Sequence, residues 1–236
     1  MDSLRSAPFP LSPEEQLWQA STTGDLRRVI ELVHTSPGIN VNWQDEQVLR
    51  TPFYRACFFG HTRVVRFLLG IPEVSVTRCN SDGTTPFMAA CSKGHEEVVR
   101  LLLLLLLLLP VVVVEKRTRL RQGDLRDQEE RGVVDVNQAD RENCTPLWVA
   151  AQNGHLPVIR LLLASQVTMI DTVSMPTFNH TSAARRAWIM STAGRMGYET
   201  EVDFEMRRDN CATIADLIED YDRNPQATRD AIRGDF

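Results

Sequence analysis

Apolar residues recur along the chain with a helical period in three short runs. These are HTRVVRFLLG from His61, HEEVVRLLLL from His95 and HLPVIRLLLA from His155, and their Val, Ile and Leu positions share one face of a helix. Each run begins at a Gly-His pair, and each Gly-His closes a stretch that opens with Thr-Pro: TPFYRACFFGH at Thr51, TPFMAACSKGH at Thr85 and TPLWVAAQNGH at Thr145. Short polar, turn-rich segments such as NSDGT (Asn80 to Thr84) and ADREN (Ala139 to Asn143) precede the Thr-Pro pairs. The pattern predicts a unit of turn, helix, tight turn and helix. Thr51, Thr85 and Thr145 are placed to cap a helix start with their hydroxyls, and the prolines after them fit the first helical position, where no amide partner is needed. Small pairs such as Ala89-Ala90 and Ala150-Ala151 let neighbouring helices approach closely, while Gly60, Gly94 and Gly154 permit the reversal between helices.

The first two copies are 34 residues apart (Thr51 to Thr85) and the next two 60 (Thr85 to Thr145), so the second carries an insertion of about 26 residues after its Gly-His. A fourth copy lies at the start of the chain. Leu17, Trp18, Ala20, Gly24 and Leu26 coincide with Leu147, Trp148, Ala150, Gly154 and Leu156 at an offset of 130. Here Ser12, Pro13 and Glu15 form a capping box in place of Thr-Pro, and Arg27, Arg28 and Glu31 charge the second helix, as suits a terminal repeat with one solvated face. One such unit cannot bury its apolar face alone, so neighbours must stack.

These motifs resemble the ankyrin repeat family, whose pattern includes Thr-Pro-Leu-His, an Ala pair, Gly-His and a Val-Val-x-Leu-Leu-Leu helix. Turns similar to the family's Asp-Val-Asn stand at Asn40 to Asn42 and at Val134 to Asn137. Tyr54, Met88 and Trp148 stand where the family has His, which removes the inter-repeat hydrogen bonds those histidines make. The resemblance implies an all-α solenoid of stacked helix-turn-helix units with short β-turn connections. The expected organisation is a flexible N-terminus (1–11), a capping repeat (12–47), a repeat (48–83), a repeat with an insertion at about 105–132 (84–137), a further repeat (138–172) and a divergent helical cap (173–236). It also implies a partner protein bound on a concave surface of turn tips and first helices. The positions it marks are Phe58, Phe59, Ser92, Lys93, Gln152 and Asn153 before each Gly-His, and Ser81, Asp82, Thr84, Arg141, Glu142 and Cys144 in the turns. Phe58 and Phe59 lead this set, because adjacent aromatics on a polar surface make a desolvated anchor. The competing expectation is that one of them, Phe58 before Phe59, packs inward against the next repeat.

Downstream, Thr181-Ser-Ala-Ala opens a possible degenerate repeat 36 residues after Thr145, with Met190 and Ser191 where Gly-His should be. The stretch ATIADLIEDYDRNPQATRDAIR is helical in period, with a second helix capped by Asn224 ahead of Pro225. Together, Thr181 to Ile232 are expected to cover the apolar face of the third full repeat.

Leu101 to Val114 comprises nine leucines, a proline and four valines. A spanning helix needs about 18 to 20 apolar residues, and this run is shorter, broken by Pro110 and bracketed by Arg100 and Glu115-Lys-Arg. Its first half is expected to be the second helix of the second repeat. The rest is a low-complexity extension that, if exposed, would be a docking patch or an aggregation risk. The insert beyond it, Glu115 to Arg131, mixes Lys116, Arg117, Arg119 and Arg121 with Asp124, Asp127, Glu129 and Glu130, and is expected to be solvated. With a net charge of −5 and no aromatics interleaved with that basic cluster, nucleic acid is not the expected ligand. The N-terminus lacks an apolar secretory core, so an intracellular setting is expected, cytoplasmic or nuclear.

The five cysteines include no Cys-x-x-Cys pair, and Cys57 and Cys91 occupy the small-residue position of a first helix, so neither disulfides nor zinc are expected. Three of five histidines belong to Gly-His pairs, and no phosphate-cradling glycine loop or metal-spaced cluster is present. The expectation is therefore a monomeric, non-catalytic scaffold without metal or cofactor that binds another protein. Two alternatives stand beside it: a membrane-peripheral adaptor docked through the Leu/Val tract, and an inert duplicate.

Overall fold

The computed structural model describes residues 10–105, 134–165 and 201–234, and the regular elements among them are all helices. They pair as α1 (Pro13–Thr23) with α2 (Leu26–Thr35), α3 (Pro52–Phe58) with α4 (Thr62–Leu69), and α5 (Pro86–Lys93) with α6 (96–105). A fourth pair, α7 (Pro146–Gln152) with α8 (Leu156–Ala164), is followed by α9 (Glu201–Arg223) and α10 (Pro225–Gly234). The first helices form one row, with α1 against α3, α3 against α5 and α5 against α7. The stack is thus continuous across the insertion. The remainder of the Leu/Val tract, the insert after it and the Thr181 segment lie outside the described residues.

Local chemistry explains the helix starts. Thr51, Thr85 and Thr145 each accept a hydrogen bond on the side-chain oxygen from the backbone N–H three residues on, at 3.0, 3.2 and 3.3 Å, with proline at the first helical position. In α1 the capping box is complete: Glu15 N–H donates to Ser12 Oγ at 3.1 Å, and Ser12 N–H to Glu15 Oε2 at 2.7 Å. The apolar faces repeat in register. Phe53, Phe87 and Leu147 are buried in the first helices, and Val64-Val65, Val98-Val99 and Val158-Ile159 in the second. Ala56-Cys57, Ala90-Cys91 and Ala150-Ala151 are fully buried where the helices meet.

Residues 101–105 of the leucine tract continue α6. Leu102 and Leu103 join the core, while Leu104 is 49% exposed. No helix among the described residues is long and apolar enough to cross a membrane. Beyond α8 the array meets two helices without the repeat signature. Helix α9 lies against α7 and α8, and α10 against α8. Cys211, Ile214, Ile218, Tyr221 and Ile232 are buried there. Asn224 Oδ1 accepts from Ala227 N–H at 3.3 Å, the cap foreseen for this helix, and the Arg233 guanidinium donates to the Ala164 carbonyl at 3.1 Å.

Candidate partner-binding surface

The Gly-His pairs set the spacing between repeats. His61 Nε2 lies 2.9 Å from the Thr22 carbonyl oxygen, His95 Nε2 2.9 Å from that of Phe58, and His155 Nε2 2.9 Å from that of Ser92. A carbonyl oxygen only accepts, so each bond requires a proton on Nε2. The three rings also lie against the glycines of the preceding repeat. A Cβ on Gly24 would stand 2.6 Å from His61 Nδ1 and one on Gly94 2.6 Å from His155 Nδ1, while one on Gly60 would overlap the His95 ring. At the last repeat the helical cap takes the histidine's place, with Arg207 and Cys211 against Gly154. Burial, reinforced by the charges of His95 and Lys93 and opposed by the Ser92 carbonyl, holds the His155 imidazole below its ordinary pKa. Tyr54, Met88 and Trp148, which stand in place of the other signature histidine, are all buried.

The turns form a second ladder. Asp45 Oδ1 accepts from Arg50 N–H at 2.7 Å, Asn80 Oδ1 from Asp82 and Thr84 N–H at 3.0 and 2.9 Å, and Asp140 Oδ1 from Glu142 and Cys144 N–H at 2.9 Å each. Adjacent tips are joined by backbone bonds from Ser81 N–H to the Val48 carbonyl and from Arg141 N–H to the Asp82 carbonyl, both 3.0 Å. The first turn is one residue longer than the others, and Leu49 takes the positive φ (55°) that Gly83 and Asn143 take in theirs. Asp82, Arg141 and Glu142 are exposed, and Ser81 and Thr84 half-buried. Cys144 is a correction: at 4% exposure its thiol is packed into the core instead of being offered to a partner.

The first-helix positions divide into two groups. Ser92 and Asn153 are tied to each other, because Asn153 Nδ2 donates to the Ser92 carbonyl at 3.1 Å and to the Val149 carbonyl at 3.0 Å. Gln152 is half-buried beside them. Phe58, Phe59 and Lys93 belong to a larger cluster. Phe58 stacks on Tyr54 at a centroid distance of 6.3 Å and meets the edge of Phe59 at 5.1 Å. Phe58 is half-buried, whereas Phe59 is 40% exposed. Three cations lie over these rings. Lys93 Nζ is 4.9 Å from the Phe58 centroid, and the Arg50 guanidinium is 5.2 Å from Phe58 and 5.5 Å from Tyr54. Arg55 is held between Trp18 at 4.3 Å and Phe59 at 4.7 Å, with its Nε donating to Thr22 Oγ1 at 2.9 Å. Trp18 Nε1–H in turn donates to the Arg50 carbonyl at 2.9 Å. Burial pushes the Tyr54 phenol up to about 12, against the opposing pull of Arg50.

Trp18, Arg50, Tyr54 and Arg55 were absent from the candidate set. The only sequence cue to Trp18 was its offset match to Trp148, and none pointed to the two arginines. Burial raises the thiols of Cys57 and Cys91, consistent with an inert core position. Among the described residues no group of His, Cys, Asp and Glu is arranged to hold a metal ion.

The model describing ankyrin repeats in three copies matches residues 17–105, and the single ankyrin repeat model matches residues 142–172, together half of the chain. No curated protein matches the chain.

Proposed function

Since the chain belongs to the ankyrin repeat family, whose arrays are protein-interaction modules, we propose that it is a non-catalytic scaffold that seats a partner protein on its turn tips and first helices. The observation that carries this reading is Phe59. An aromatic side chain 40% exposed on a stacked array, flanked by Arg55 and Phe58, is the composition from which binding hot spots are built. Preorganisation strengthens the case, because Arg55 and Phe58 are already held by ring stacking and hydrogen bonding and lose little side-chain entropy on docking. A scaffold that presents such a face from helices and tight turns needs no catalytic group.

The test is an affinity capture from native cell extract with the wild-type chain and Phe59→Ala side by side, after circular dichroism has shown equal helical content. Loss of one stoichiometric partner in the variant supports the reading. Equal capture of every partner by both proteins overturns it.

A further inference from the structure

The cations of the Phe58–Phe59 surface have no acidic neighbour committed to them. Among the described residues no ion pair involves Arg50, Arg55 or Lys93, although Arg28, Arg100, Arg208 and Arg223 all make one. The carboxylates whose charges reach this cluster, Asp45 at Arg55 and Asp82 at Tyr54, serve the turns. Asp45 accepts from the Val48 and Arg50 N–H groups at 3.0 and 2.7 Å, and Asp82 from Asn80 Nδ2 and Ser81 Oγ at 3.2 and 3.4 Å. Arg50 Nε is buried and makes no hydrogen bond. The result is a local concentration of positive charge on a chain whose net charge is −5. Arg55 is held between Trp18 and Phe59 and Arg50 lies over Phe58 and Tyr54, so a ligand meets these guanidinium groups at their edges, where N–H donors suit a bidentate acceptor.

We propose that this surface recognises an acidic segment of the partner protein, with an Asp or Glu carboxylate received among Arg50, Arg55 and Lys93 and an adjacent apolar side chain seated on Phe59. The inference rests on the scaffold reading above and narrows it to one class of ligand. Like charges gathered without an ion-pair partner repel, and an incoming carboxylate relieves that repulsion. In agreement, the Arg55 guanidinium is held below its ordinary pKa, by burial first and by the charge of Arg50 second, with Asp45 and Tyr54 opposing but not cancelling the shift. A carboxylate on the same peptide as an apolar residue also explains the juxtaposition of exposed ring and cation, since either feature alone would select weakly.

Selection of a random-peptide phage library on the full chain, followed by fluorescence anisotropy with the synthesised winners, tests this directly. The expected winners combine Asp or Glu with an aromatic or aliphatic residue. Lys93→Glu, a change at an exposed side chain, should weaken them about tenfold or more, as should Arg55→Gln. Phe59→Ala should weaken binding while leaving its salt dependence intact, whereas the charge variants should flatten that dependence. Winners that lose affinity in Phe59→Ala but are neutral and indifferent to Lys93→Glu would overturn the acidic class and leave the scaffold reading standing. Winners indifferent to all three variants would overturn both. No enrichment over uncoated surface, or displacement of the winners by an oligothymidylate more readily than by an acidic competitor peptide, would also overturn the proposal.

Discussion

Gly60→Ala isolates the contact that fixes one repeat against the next. Gly60 has φ +73°, where an L side chain costs about 1–2 kcal/mol, and its new methyl would overlap the His95 ring. The ring must then move, and its 2.9 Å bond to the Phe58 carbonyl lengthens or breaks, at about 1 kcal/mol more. Gly38→Ala is the internal reference. It has the same sign of φ (+77°) and nothing within 4 Å of its would-be Cβ, so it carries the backbone strain alone. Both variants reduce the freedom of the unfolded chain alike. The expected gap between them is about 1 kcal/mol or more, or roughly half a molar in urea midpoint at ordinary m-values. Combining Gly60→Ala with His95→Ala clears the space, and the second change should then absorb most of the excess cost of the first. Equal midpoints for Gly60→Ala and Gly38→Ala, or an excess that survives removal of the imidazole, would refute the steric account.

Three further outcomes are expected. The His155 imidazole has a folded pKa below its ordinary value, so protonation favours the unfolded chain; stability is fully present above about pH 6.5 and is lost as pH falls from there toward the folded value. Thermal unfolding followed by circular dichroism should therefore show a loss on acidification that His155→Gln lessens, and an equally steep loss in the variant would contradict this. Leu49→Gly relieves a left-handed residue in the first turn at the cost of a freer unfolded chain, and should stabilise by a net of about 0.5–1 kcal/mol, read as a higher urea midpoint; a lowered midpoint would mean that Leu49 packs usefully despite its 44% exposure. Ser21 is fully buried with its hydroxyl unpaired, at the register position that Cys57, Cys91 and Ala151 hold in the other repeats. Ser21→Ala should stabilise by about 1 kcal/mol in the same assay, and a loss of stability would show that the hydroxyl is satisfied.

What was legible in the sequence is what local chemistry determines. Thr51 caps its helix through a bond three residues away, Pro52 takes the next position, and Gly60 reverses the chain, so each mark can be read within one turn of where it acts. The apolar runs after Gly-His likewise declare their buried face through period alone. Longer-range features were hidden. Arg55 meets Trp18 from a repeat away and Lys93 meets Phe58 across the next interface, and both contacts exist only because the helices stack in one register. Arg50 gave no sign of itself because it sits just before a cap, in a turn whose extra residue sequence comparison between copies did not expose. The closing helices escaped the repeat pattern for a related reason: Arg207 and Cys211 pack on Gly154 as a histidine ring does elsewhere, using side chains that share nothing with Gly-His. Cys144 misled because turn position was equated with exposure, whereas its backbone serves the turn and its side chain joins the core.

The most direct test of the binding account is site-specific photocrosslinking in native cell extract. A photoreactive phenylalanine analogue is placed either at Phe59, on the aromatic and cationic surface, or at Arg66, exposed on the second helix α4 of the same repeat. The account expects one protein to be captured from position 59 and not from position 66, with capture lost when Lys93 is changed to Glu. Capture from position 66 alone, or equal capture from both positions, would contradict it.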